Sequence, residues 1–123
     1  MFKLFVIIGS LNMLVSVGLG AFGAHGLKSK ISADMLAVYQ TGVQYHMIHA
    51  LGILLIAALS LKLPTSSLVS WSGWFLFIGI ILFSGSLYAL SISGIRVLGA
   101  ITPFGGVAFL VGWLLLAYAA IKG

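Results

Sequence analysis

The chain has 123 residues, of which 62% are apolar; its formally charged side chains are six Lys or Arg and one acid, Asp34. A soluble domain of this length carries roughly 30 charged residues, so this composition excludes a conventional soluble domain and a disordered tail, and a mean hydropathy of +1.27 places the chain in a membrane. The net charge of +5 does not make a nucleic-acid module, because the basic residues are scattered singly apart from the Lys28/Lys30 pair. With no cysteine there is no disulfide framework, thiolate metal site or cysteine nucleophile.

Four charge-free apolar stretches, at about residues 4–24, 43–61, 71–90 and 101–121, are each near the ~20 residues that cross a hydrocarbon core as a helix. Long unalternating runs select helices over barrel strands. The segments between them, GLKSKIS, KLPTSS and SISGIR, are polar or turn-rich. The expected fold is all-α: a four-transmembrane-helix bundle forming a single integral membrane domain over 1–123.

The first span carries Lys3, an apolar run and Ala21-Phe22-Gly23, a pattern similar to a signal peptide, but the run is longer than a usual h-region and contains Asn12. It is read as a retained helix. Ser16, Gly20 and Ala24, four apart, form a small-residue stripe for close helix packing. The string Gly18-Leu-Gly-Ala-Phe-Gly23 matches GxGxxG, yet a dinucleotide site needs a strand before it, a helix after it and an acid ~20 residues on. Here it closes an apolar helix, so it too is read as packing.

Ser32 is the expected N-cap of the second helix, with Asp34 in its first turn, where a negative charge suits the helix dipole. A helix from Ala33 to Leu61 is roughly 43 Å long, more than the hydrocarbon thickness. Its first turns therefore lie in the interface, with Gly42 as a bend. Pro64 marks the following loop. On the third helix Ser72, Gly79 and Ser86 recur every seven residues, and on the fourth so do Gly105, Gly112 and Ala119. Thr102 and Pro103 read as N-cap and first helical residue.

Four spans put both termini on one face with Lys3, Lys62 and Lys122, against Lys28, Lys30 and Arg96 on the other. This even balance leaves the orientation unspecified. Trp71, Trp74 and Tyr118 suit an aromatic belt on the terminal side.

Antiparallel threading gathers polar groups towards the other face: His25 ends the first helix, Gln40, Gln44, His46 and His49 begin the second, Ser84, Ser86 and Tyr88 end the third, and Thr102 starts the fourth. The expected site is a polar vestibule in one leaflet formed by His25, Gln44, His46, His49, Ser84, Ser86 and Thr102, since ionisable residues inside a membrane are functional candidates by default. The packing positions are Ser16, Gly20, Ala24, Gly79, Gly105 and Gly112. Two readings of the histidines stand open: a vestibule that binds a ligand or responds to protons, and a structural set in which His25 caps a helix end while His46 and His49 bond groups on neighbouring helices. His46 and His49 are three residues apart, but no cysteine or second acid completes a zinc set, so neither metal nor cofactor is expected. No paired carboxylates, G-x-S-x-G elbow or phosphate-cradling loop followed by Lys is present, so no catalytic residue is assigned.

Across nearly its full length the chain resembles a bacterial family catalogued as domain of unknown function four-two-three, related to small animal transmembrane proteins. The resemblance rests on Gly20-Ala-Phe-Gly-Ala-His-Gly-Leu27, Tyr39-Gln-Thr-Gly-Val-Gln-Tyr-His-Met-Ile-His-Ala-Leu51, Phe83-Ser-Gly-Ser-Leu-Tyr88, Gly99-Ala-Ile-Thr-Pro-Phe-Gly-Gly106 and Gly112-Trp113. It implies a multi-pass protein of the bacterial plasma membrane and carries no substrate, cofactor or catalytic residue with it. The leading functional expectation is a non-enzymatic membrane protein binding a small polar ligand, ion or lipid headgroup. The alternative is a structural or assembly subunit whose small-residue stripes bind another membrane protein; a homo-oligomer stands beside it as an open partner. An intramembrane metal enzyme comes last. The lipid bilayer is the expected surrounding and nucleic acid is not a partner.

Overall fold

A computed structural model describes residues 1–63 and 67–122. It contains four helices long and apolar enough to cross a membrane: α1 (Phe2–Leu27), α2 (Ala33–Leu59), α3 (Ser67–Ser93) and α4 (Arg96–Lys122). The reading of Pro64 as a loop marker lies outside the described residues.

The boundaries have local causes. The Ser32 hydroxyl accepts from the Met35 amide at 3.2 Å, capping α2 with Asp34 in its first turn. Past Ser93, Gly94 adopts φ 75°, a left-handed conformation that ends α3 without the clash a Cβ would bring. The fourth helix opens as a 3-10 stretch, Arg96–Ala100, before regular α-helix runs over Thr102–Lys122. The helix thus starts before Pro103, and no cap is formed by the Thr102 hydroxyl, which pairs across to α3 instead. α2 is α-helical throughout Ala33–Leu59, so the helical winding continues through Gly42. Gly42 is buried, and a Cβ there would stand 3.0 Å from the Tyr88 ring, so the residue serves close approach between helices.

Two segments are π-wound: Gly23–Leu27 at the end of α1 and Ile80–Ser84 inside α3. A π-turn holds more residues than an α-turn and so rotates the positions that follow it around the helix axis. Ala24 departs from the expected stripe for a simpler reason: at about 100° per residue Gly23, seven residues after Ser16, returns to the same face, whereas Ala24 lies about 80° away from it. Ser16 is buried and Gly20 half-buried against α2, but Gly23 takes the next inward place, beneath the Tyr39 ring, and Ala24 is exposed. Gly18 is exposed with nothing near it, so it is not a packing position either.

α1 and α2 form an antiparallel hairpin, α3 and α4 a second, and α2 lies between α1 and α3 as the most buried helix. The second hairpin closes over its small residues. A Cβ on Gly105 would overlap the Phe83 backbone, one on Gly79 would overlap the Phe109 ring, and one on Gly112 would sit 2.7 Å from a Leu76 methyl carbon. Small residues at these places let the helices approach closely, which is how association proceeds where lipid tails remove the hydrophobic difference. The main core runs through Phe5, Ile53, Ile56, Val69, Leu76, Ile80 and Phe109, with the Phe5 ring edge-on to Trp74 at 5.4 Å.

Candidate functional site

The expected vestibule residues do not share one space. They divide into separate bonds between helices, each set by the register of the hairpins. In the first hairpin Asn12 and His46 are equally distant along the chain from Ser29, and they meet: His46 Nε2 lies 2.9 Å from Asn12 Oδ1. The amide oxygen only accepts, so Nε2 carries the hydrogen and donates. The other nitrogen, Nδ1, is then the acceptor for the Tyr88 hydroxyl at 2.9 Å. Asn12 uses its own amino group on the Ile8 carbonyl at 2.8 Å. One imidazole therefore ties α1, α2 and α3 together. Near it the Tyr39 hydroxyl donates to the Leu19 carbonyl at 2.5 Å, a second tie between α1 and α2.

His49 is held with the opposite polarity. Its Nδ1 donates to the Tyr45 carbonyl one turn earlier at 2.8 Å, and Nε2 accepts from the Trp113 indole N–H at 3.0 Å. Its ring stacks on Phe109 with centroids 3.5 Å apart. The Ser84 hydroxyl, in the π-wound part of α3, donates to the Gly42 carbonyl at 2.7 Å, and the Ser86 and Thr102 hydroxyls pair at 2.6 Å. His46, His49, Ser84 and Ser86 are all buried. A buried polar group in hydrocarbon costs several kcal/mol if left unpaired; each of these has a partner.

His25 and Gln44 stand apart, both exposed. The hairpin register sets Gly23 under Tyr39 and Asn12 against His46, so His25 lies about three turns beyond the level of His46 along α1. Among the described residues no group of three or more His, Cys, Asp or Glu side chains is placed to hold a metal ion.

Sequence reasoning left Asn12, Tyr45 and Trp113 out of the site. Asn12 lies near the middle of the first apolar run, and folding the hairpin back about Ser29 brings it to His46. For Trp113 no such signal exists, since its contact depends on how the second hairpin rotates against the first.

Beside His49 an open crevice of about 530 Å³ runs between α2, α3 and α4. Tyr45, His49 and Phe83 form one side, and Pro103, Gly106, Leu110 and Trp113 of α4 the other. The crevice forms because α2 and α4 are bridged by side chains such as the His49–Trp113 pair while their backbones stay apart. Its lining is almost wholly apolar; the Tyr45 hydroxyl has no hydrogen-bond partner among the described residues.

Fold and bonds together define a four-helix integral membrane protein in which His46, His49, Ser84 and Ser86 fasten helix to helix. The family described as "Protein of unknown function (DUF423)" matches residues 19–106, and the chain belongs to it. It is 56% identical to the UPF0382 membrane protein YwdK of Bacillus subtilis over 120 residues, 98% of each chain. It is 52% identical to the UPF0382 membrane protein SSP2132 of Staphylococcus saprophyticus, again over 98% of each chain. To the UPF0382 membrane protein SERP0230 of Staphylococcus epidermidis it is 50% identical, over 98% of this chain and 97% of the relative. No solved structure matches. The chain is a multi-pass protein of the bacterial plasma membrane.

Proposed function

We propose that this protein is a non-enzymatic membrane protein that holds the hydrocarbon chain of a membrane lipid in the crevice between α2, α3 and α4. The observation that carries this reading is the crevice itself, open and apolar at membrane depth. Along α4 it extends from Pro103, at the start of the regular α-helical part, to Trp113. Ten residues rise about 15 Å, half of the ~30 Å hydrocarbon core and so the depth of one leaflet. Its volume falls within the ~300–1,000 Å³ of ligand sites. What faces the crevice in a bilayer is hydrocarbon, and the Tyr45 hydroxyl offers one hydrogen bond to an ester or hydroxyl of the same lipid.

A small polar ligand or an ion is less well served. The histidine nitrogens and the Ser84, Ser86 and Thr102 hydroxyls already hold partners within the bundle. Such a ligand has to displace those bonds before it can make its own.

Native mass spectrometry of the protein released from lipid nanodiscs tests the proposal. A Cβ at Gly106 meets only Phe83, at 4.0 Å, so Gly106→Phe adds its ring on the crevice side with little backbone conflict. The parent is expected to retain lipid at one per chain, and the variant to lose it while keeping its helicity and melting temperature. Equal retention by the two proteins would remove the crevice as the site.

A further inference from the structure

The outward face of α2 differs from those of its neighbours. Gln40 and Gln44 are exposed on it, and among the described residues neither carboxamide has a hydrogen-bond partner. α2 is about 40 Å long, exceeding a ~30 Å core by about 10 Å. Gln44 lies about 16 Å along the helix from Ala33. Even if the whole excess protrudes at the N-terminal end, Gln44 remains inside the hydrocarbon, where an amide needs a partner.

The same face carries a second pattern. Ala37, Gln44, Leu51 and Ala58 recur every seven residues, and all four are exposed. A seven-residue repeat keeps one seam facing a neighbouring helix in a left-handed pair. Within the chain this seam is unused, because α1 and α3 occupy other sides of α2 through Val43, His46 and Ala50 and through Gly42 and Gly52. The seam spans most of α2 and has its polar residues at one end.

We infer that this face of α2 is the interface with a second copy of the chain, in which Gln40 and Gln44 bond their counterparts. A carboxamide holds donor and acceptor together, so it is complementary to itself. Two copies inserted in the same orientation and related by a two-fold axis along the membrane normal place equal-numbered residues at equal depth. Gln44 then meets Gln44 of the other copy in a reciprocal pair, with Leu51 and Ala58 packing below. Amide pairs of this kind act as glue between membrane helices.

Absence of native cysteine makes the test clean. Single cysteines are placed on the seam (Leu51→Cys) and on the outward faces of α1 (Leu14→Cys) and α4 (Leu114→Cys), each of these leucines being exposed, and oxidised in native-lipid vesicles at low protein density. Only Leu51→Cys is expected to give a covalent dimer. Adding Gln40→Leu and Gln44→Leu, which alter an outward face and leave the bundle interior untouched, is expected to weaken association about tenfold by energy transfer between labelled copies. Cross-linking at Leu14 or Leu114 in preference to Leu51 overturns the interface. Monomer at all three sites likewise overturns the interface, and association unchanged by the leucine substitutions removes the amide pairing.

Discussion

Asn12 and His46 are 34 residues apart in sequence and 2.9 Å apart in space, and the bond between them joins the two helices of the first hairpin while the opposite ring nitrogen joins the third helix. Replacing either partner leaves the other inside the bundle without its bond, so the coupling between them is measurable. A double-mutant cycle on Asn12→Leu and His46→Leu, read by reversible unfolding in bicelles, is expected to give about 0.6 kcal/mol and up to about 1.7 kcal/mol, the range for interhelical hydrogen bonds in membranes. Additive effects would mean that the bond contributes nothing beyond the separate packing of the two side chains.

The two buried histidines should occupy opposite tautomers. His46 faces an acceptor at Nε2 and a hydroxyl at Nδ1; His49 faces a carbonyl at Nδ1 and an indole N–H at Nε2. Nitrogen-15 NMR of histidine-labelled protein in lipid is expected to show the hydrogen on Nε2 of His46 and on Nδ1 of His49. Trp113→Phe removes the donor to His49 while keeping an aromatic ring in place, and should shift only the His49 Nε2 resonance. One shared tautomer for both rings contradicts this bonding scheme.

Much of the fold was legible because hydrophobic length and caps act locally. Four apolar runs, Ser32 ahead of Asp34 and the seven-residue repeats of Gly79 and of Gly105 and Gly112 identify helices and contact faces without knowledge of partners. Ala24 shows where counting by fours ended: a four-residue spacing drifts around the helix, so Gly23, seven residues after Ser16, takes the inward place and Ala24 turns outward. The polar positions were legible by depth alone. Depth grouped His25 and Gln44 with His46, whereas contact depends on rotation about each helix axis. That rotation is fixed by close approaches such as Gly42 to Tyr88 and Gly105 to Phe83, which involve helices distant in sequence.

Glycines on the two sides of the bundle should respond differently to the same substitution. A Cβ on Gly105 would lie 2.7 Å from Phe83 Cα, with backbone rather than a flexible side chain in the way. Gly105→Ala is therefore expected to destabilise the protein by about 1–3 kcal/mol, the usual range for overpacking a tight contact. Gly18 has nothing within 4 Å, and Gly18→Ala is expected to change stability by no more than about 0.5 kcal/mol. Unfolding of both variants in the same bicelles provides the comparison. If the two substitutions have equal effects, close packing of α3 on α4 is not what Gly105 provides.

Membrane orientation should be easily reversed. The helix order places Lys3, Lys62 and Lys122 on the face of the termini and Lys28, Lys30 and Arg96 on the other. Orientation follows the excess of Lys and Arg in short cytoplasmic segments, and Asp34 contributes little to it. With three cations on each face, no excess exists, and small changes decide the outcome. Lys28→Ala with Lys30→Ala leaves the excess beside the termini and should hold them in the cytoplasm. Lys3→Ala with Lys62→Ala does the reverse and should send the termini to the outer face. C-terminal fusions to a fluorescent protein that matures in the cytoplasm and to an alkaline phosphatase active outside it read the two states independently. The first variant is expected to fluoresce without phosphatase activity and the second to show the opposite. The same location for both would mean that orientation is set by something other than these six side chains.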